Sequence, residues 1–165
     1  MKLPSSQFLQ LVADLPPHPT SPQLESMILA WDHIAARYLR RIETNRTLTG
    51  RLRSIRLLAV HDAVVSIVDP GFGYIFKANS PTRSTLAALA ATVQASHDIL
   101  AATFDDPADL SDLDDLLSES LDLIGDDDER SVGSTIGAES AATYLNTFEP
   151  FLFEKNAAVN HTAAA

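Results

Sequence analysis

The chain is expected to fold as an all-α bundle of about five helices, with a central buried helix over residues 51–68. Three observations carry this expectation. Apolar residues recur at three- and four-residue spacing through five successive segments. No segment shows the two-residue alternation of a strand. Breaks rich in proline, glycine and aspartate separate the segments at helical lengths.

Residues 1–21 carry four of the nine prolines and read as an irregular N-terminal arm. Ser21 and Pro22 then suit an N-cap and first helical position, opening a helical domain over 22–150. The first helix, about 23–44, places Met27, Ile28, Trp31, Ile34, Ala35, Tyr38 and Leu39 on one face. Thr47 to Gly50 is expected to break it before the helix at 51–68. The turn Asp69-Pro70-Gly71-Phe72-Gly73 follows. Ser80-Pro81 opens a third, alanine-rich helix, and Asp106-Pro107 opens a fourth that carries Leu110, Leu113, Leu117 and Leu121. The fifth starts after Gly125 in an acidic first turn and is expected to stop at Pro150. Residues 151–165 are then a loose C-terminal tail.

The second helix is chemically odd. From Leu57 to Val68 it is apolar almost all round, which marks a buried helix, yet His61 and Asp62 sit in its middle. A carboxylate is rarely buried without partners, because stripping its water costs several kcal/mol. Asp62 is therefore expected to be buried, accepting hydrogen bonds from an arginine or from backbone N–H groups of a loop. Arg37, Arg41 and Arg51 are the expected donors if the first two helices run antiparallel. His61, Asp62, Arg51, His97 and Asp98 form the expected set of structural buried polar residues. Gly133 and Gly137, four apart on the fifth helix, read as a close-packing device.

Composition excludes several classes. Without cysteine there is no disulfide, thiolate metal site or cysteine nucleophile. A net charge of −10 argues against nucleic acid as partner. No apolar run approaches the roughly 18 residues of a membrane span, and the N-terminus does not read as a signal peptide, so a cytoplasmic protein is expected. Charge is unevenly placed: seven arginines fall in 37–56, and twelve acids without a base in 105–129. The two runs either attract each other within the fold or offer a docking patch to an oppositely charged partner.

His33 followed by the doublet His61-Asp62 resembles the metal-binding pattern of HD-type phosphohydrolases, which hold divalent metals with histidines and aspartates. That resemblance implies a metal-dependent phosphohydrolase using His33, His61 and Asp62, and is kept as the alternative. A second resemblance covers more of the chain. Arg51 followed by Ala59-Val60-His61-Asp62-Ala63-Val64 is similar to the signature helix of the vanadium-dependent haloperoxidase branch of the type 2 phosphatidic acid phosphatase superfamily. Trp31-Asp32, Ala95-Ser96-His97-Asp98-Ile99-Leu100, and Gly133, Gly137 and Ala141-Ala142 resemble further helices of that family, in its order, across roughly residues 28–146.

The chain departs from that family where chemistry would be done. The family's Lys and Arg-Pro, Pro-Ser-Gly-His and Ser-Arg segments, which bind vanadate or phosphate, have no counterpart here. The resemblance implies the family's N-terminal helical half without its catalytic groups. The expected function is a non-catalytic subunit or assembly module with no cofactor of its own. Its partner would be itself or a second protein chain, and Phe148, Phe151 and Phe153 would form one interface. Completed by a partner chain, it would serve a haloperoxidase or acid phosphatase.

Overall fold

Residues 21–42 and 46–162 are described in the computed structural model, and among them the chain forms five α-helices and no strand. Helix α1 spans Ser21–Leu39 and ends in a 3-10 turn, Arg40–Ile42. The others are α2 (Arg46–Val68), α3 (Thr85–Ala101), α4 (Pro107–Asp122) and α5 (Asp127–Thr162). The arm expected at 1–21 lies, apart from Ser21, outside the described residues, as do the side chains of Phe151 and Phe153. No helix among the described residues is long and apolar enough to cross a membrane.

The caps explain several boundaries. Ser84, not Ser80, is the N-cap of α3, its hydroxyl accepting from the N–H groups of Leu86 and Ala87. Asp106 caps α4 through Ala108 N–H, with Pro107 in the first turn as expected. The Asp126 carboxylate accepts from Glu129 N–H at the start of α5. Two expected breaks do not occur. Gly50 lies inside α2, exposed, where the helix tolerates it at a cost of about 1 kcal/mol. Pro150 lies inside α5, which continues to Thr162 rather than giving way to a loose tail. Pro150 faces solvent, so the carbonyl deprived of its N–H can turn to water.

Helix α3 packs against each of the other four, and α2 packs on α3 and α5. Small residues make this possible. A Cβ on Gly133 would sit 2.0 Å from the Ala87 carbonyl oxygen, and one on Gly137 would sit 2.6 Å from that of Ala91. With Ala87, Ala88, Ala90, Ala91 and Ala95 fully buried on α3, the two backbones approach at the distance only glycine permits. The expected close-packing role of the glycine pair is what the structure shows. Helix α1 lies on α3, burying Met27, Trp31, Tyr38 and Leu39. Helix α4 covers another side of α3 and buries Leu113 completely.

The helix at 51–68 is inside the bundle on one face only. Ala59, Val60, Asp62, Ala63, Ser66 and Ile67 are buried, while Leu57 and Val68 are exposed. Its hydrophobicity all round therefore reports two surfaces, one covered by α3 and α5 and one open.

Candidate functional site

Asp62 has no exposed surface. Its Oδ1 accepts from Tyr74 N–H, and its Oδ2 from Ile75 and Phe76 N–H, all at 2.9 Å. The Tyr144 hydroxyl, reaching over from α5, donates to Oδ2 at 2.7 Å. One turn along α2, Ser66 Oγ accepts from Ala78 N–H at 3.1 Å. Two side chains on one face of α2 thus hold four backbone N–H groups of the loop 69–84. Burial by itself would raise the Asp62 pKa; the bonds from Tyr144 and the three loop N–H groups outweigh it and lower it to about 2. The same contact, with burial acting first, pushes the Tyr144 hydroxyl far up.

The loop can take this path because of its glycines. Gly71 has φ +120°, a conformation that L side chains rarely adopt. A Cβ on Gly73 would lie 2.2 Å from the Phe76 carbonyl oxygen. With the backbone held from beneath, the side chains turn outward: Phe72 is 68%, Tyr74 71% and Ile75 45% exposed. The His61 ring, half-exposed, lies 5.0 Å from the Tyr74 ring, and its Nδ1 is 3.1 Å from Asp62 Oδ1. Leu57, His61, Val64 and Val68 follow one another at helical spacing on the open face of α2. The His61–Tyr74 contact joins this stripe to the exposed aromatic loop.

Of the two sources of donors expected for Asp62, the loop backbone is the one found. The arginines are engaged elsewhere. Arg37 lies over the Tyr38 ring, and Arg41 pairs with Asp109 on α4. Arg51, expected to be buried, is exposed: it precedes Asp62 by eleven residues, roughly 16 Å along the same helix. The buried arginine is Arg56, which pairs with Asp32 of α1 and donates to Ser96 Oγ of α3 at 3.1 Å. Burial lowers its pKa to about 10. The Arg41–Asp109 pair joins the basic and acidic runs within the fold, while most of the acids on α4 remain exposed.

His97, itself buried, is the centre of a second cluster whose carboxylates reach the surface. Its Nδ1 is 2.7 Å from Asp98 Oδ1 and its Nε2 is 2.8 Å from Asp114 Oδ1 on α4. A neutral imidazole has a single N–H, so both bonds exist only in the imidazolium form. Burial lowers the His97 pKa, but Asp98 and Asp114 prevail and raise it. Asp98, half-buried, also accepts from Gln94 Nε2 at 2.9 Å. Of the expected buried set, Asp62 and His97 are buried, His61 and Asp98 half-buried, and Arg51 is not.

His33 is exposed on α1. Among the described residues, no group of three or more His, Cys, Asp or Glu is placed to hold a metal ion. Asp62 is committed to protein donors on both oxygens. Vanadate or phosphate would need cations beside the imidazoles, but carboxylates face both His61 and His97, so neither of these two histidines is set to hold an oxyanion. Comparison of the chain with protein-family models, curated proteins and solved structures finds no match.

Proposed function

We propose that this chain is a non-catalytic helical assembly module that docks a second protein chain through the face formed by α2 and the loop 69–76. The observation that carries the reading is the clamped loop. A fully buried carboxylate fixes backbone whose Phe72, Tyr74 and Ile75 side chains face solvent. Ordering aromatic anchors before a partner arrives lowers the entropy lost on binding. Exposed aromatic clusters on rigid backbone are how hot spots are built. The exposed rim holds Arg53 and Lys77 against Asp69, in a chain of net charge −10. This locally cationic border favours a partner whose apolar anchors are ringed by acids. The resemblance to the N-terminal half of a vanadium haloperoxidase-type phosphatase supports the same reading, the partner being a separate chain that carries the oxyanion site this one lacks.

An apolar-surface dye tests the face. Fluorescence enhancement is expected with the wild type, and its loss in the triple variant Phe72→Ser, Tyr74→Ser, Ile75→Ser, with helicity unchanged by circular dichroism. A folded wild type that binds no dye would contradict the proposal.

A further inference from the structure

Helix α4 carries Asp109, Asp112, Asp114, Asp115, Glu119 and Asp122 and no base. It stays on the bundle through Leu113, fully buried, through the partly buried Leu116, Leu117 and Leu121, and through the cations that meet it. Arg41 of α1 pairs with Asp109 near its start, and Arg130 of α5 approaches Asp122 at its end. Between these two, His97 of α3 meets Asp114 through Nε2. Guanidinium groups keep their charge across the neutral range, whereas an imidazole does not. Of these three cations, His97 is the one that titrates.

The two carboxylates about the ring are unequal. Asp98, on the same helix, lies 2.7 Å from Nδ1, is 27% exposed and is also tied to Gln94 Nε2. Asp114, across the helix interface, is 70% exposed. Among the described residues, no charged group of α1, α2 or α5 bonds to the ring or to either carboxylate. A neutral imidazole keeps a single N–H. Placed on Nε2, it would leave the Nδ1 lone pair against Asp98, which is held on its own helix and has little water to turn to. Placed on Nδ1, it keeps Asp98 and leaves the Nε2 lone pair against Asp114, which can swing into solvent at small cost.

We propose that His97 is a proton-operated latch for α4. As imidazolium it joins Asp98 to Asp114. As neutral imidazole it keeps Asp98 through Nδ1 and releases Asp114, and the middle of α4 loosens from α3 while the other helices stay packed. Loss of the proton also leaves the acids of α4 paired with cations only at its two ends, and their mutual repulsion acts in the same direction. Burial opposes the charge on His97, yet the bonds to Asp98 and Asp114 outweigh it and raise the pKa above its ordinary 6.5. The latch is therefore closed below pH 6.5 and opens as pH climbs through the raised value. This seam between α3 and α4 is distinct from the α2–loop face, and the latch goes beyond the docking function.

The test is nitrogen NMR of the isotope-labelled full chain from about pH 6 to about pH 9, with the His97 ring signals identified by their absence in His97→Gln. As the ring loses its proton, Nδ1 is expected to keep its N–H and Nε2 to become the bare nitrogen. Amide exchange over the same range, read as protection in α4 relative to α3, should fall about three- to tenfold, the scale of one part-exposed ionic bond with the added repulsion. In His97→Gln that ratio should not change with pH. In Asp114→Ala it should sit at the wild type's alkaline value throughout, while the neutral ring still carries its proton on Nδ1. A neutral ring with its proton on Nε2, a wild-type ratio independent of pH, or a pH-dependent ratio that survives in Asp114→Ala would each overturn the latch. Should His97→Gln lose helicity, Asp114→Ala, altered at an exposed position, carries the comparison. The loop variant Phe72→Ser, Tyr74→Ser, Ile75→Ser should titrate at His97 and exchange in α4 as the wild type does, so the latch and the docking face fail separately.

Discussion

Two ionic clusters, each built about a buried side chain, Asp62 and His97, solve the same problem with opposite means. Asp62 has its charge spread over three backbone N–H groups and a phenol hydroxyl, with no arginine or lysine among these partners. His97 has a carboxylate at each nitrogen. The first arrangement uses fixed dipoles whose protonation does not change, and it secures a loop that has no regular structure of its own. The second depends on a proton that the imidazole can lose, and it secures a helix against a helix. Asp62 is sealed from water, whereas Asp114 is largely exposed and its bond is partly screened. The comparison teaches that burial of the acceptor, not the number of charges, decides how much of the structure hangs on each cluster.

The largest expected effect is therefore at Asp62. Asp62→Ala leaves the Tyr144 hydroxyl and the loop N–H groups without acceptors, at about 1–3 kcal/mol for each donor that stays buried. The expected sum is about 3 kcal/mol or more, a large share of a typical stability of 5–15 kcal/mol. Chemical denaturation of the variant beside Asp115→Ala, an exposed acid on α4 that should change little, measures it. Next comes His97→Gln, which keeps one hydrogen-bonding arm and should cost about 1–2 kcal/mol by the same method. Tyr144→Phe removes one donor of four and should cost about 1 kcal/mol. Asp114→Asn, at an exposed site, should cost less than about 1 kcal/mol.

Acid and alkali should separate the clusters. The folded pKa of Asp62, about 2, lies below its ordinary 3.8, so its stabilisation is complete above roughly pH 4–5 and is lost as pH falls through about 2. The folded pKa of His97 is raised above 6.5, so its contribution is complete below pH 6.5 and fades as pH climbs through the folded value. Urea midpoints measured across pH should show the alkaline decline vanish in His97→Gln and the acid decline shrink in Asp62→Ala. A wild-type profile flat from pH 6 to 9 would break the comparison on the His97 side.

Much of this is legible in the sequence, and the remainder has a physical reason. An acid inside an apolar run has to be buried and has to find donors, so the burial of Asp62 followed from residues 57–68, while its donors were expected first among Arg37, Arg41 and Arg51 and otherwise in the backbone of a loop, where they are found. Periodicity reports which face of a helix is inward but not which residue waits opposite. That is why Arg51 was expected in the core as a donor to Asp62, whereas the buried arginine is Arg56, paired with Asp32: Arg56 lies four residues after Leu52 and three before Ala59, on the buried face. Tyr144, 82 positions from Asp62, was missed as a donor. A signal was present, since Gly133, Gly137, Ser140, Ala141 and Tyr144 share one stripe of α5, and a hydroxyl on the glycine face must point into the core. The open face of α2 was missed because an apolar stripe reads the same whether the fold covers it or a partner does. The fifth helix outran its expected end because Pro150 happens to face solvent, which a sequence does not display.

The account rests on Asp62 ordering the loop that presents Phe72, Tyr74 and Ile75, and amide hydrogen exchange reads this residue by residue. The Tyr74, Ile75 and Phe76 amides should exchange slowly in the wild type, with opening free energies close to those of α3, although two of these residues carry exposed side chains. In Asp62→Asn, with one carboxylate oxygen replaced by an NH₂ group, protection of these three amides should fall by far more than that of α3. Exchange of all three at unprotected rates in the wild type would contradict the clamp and the preorganised face built on it.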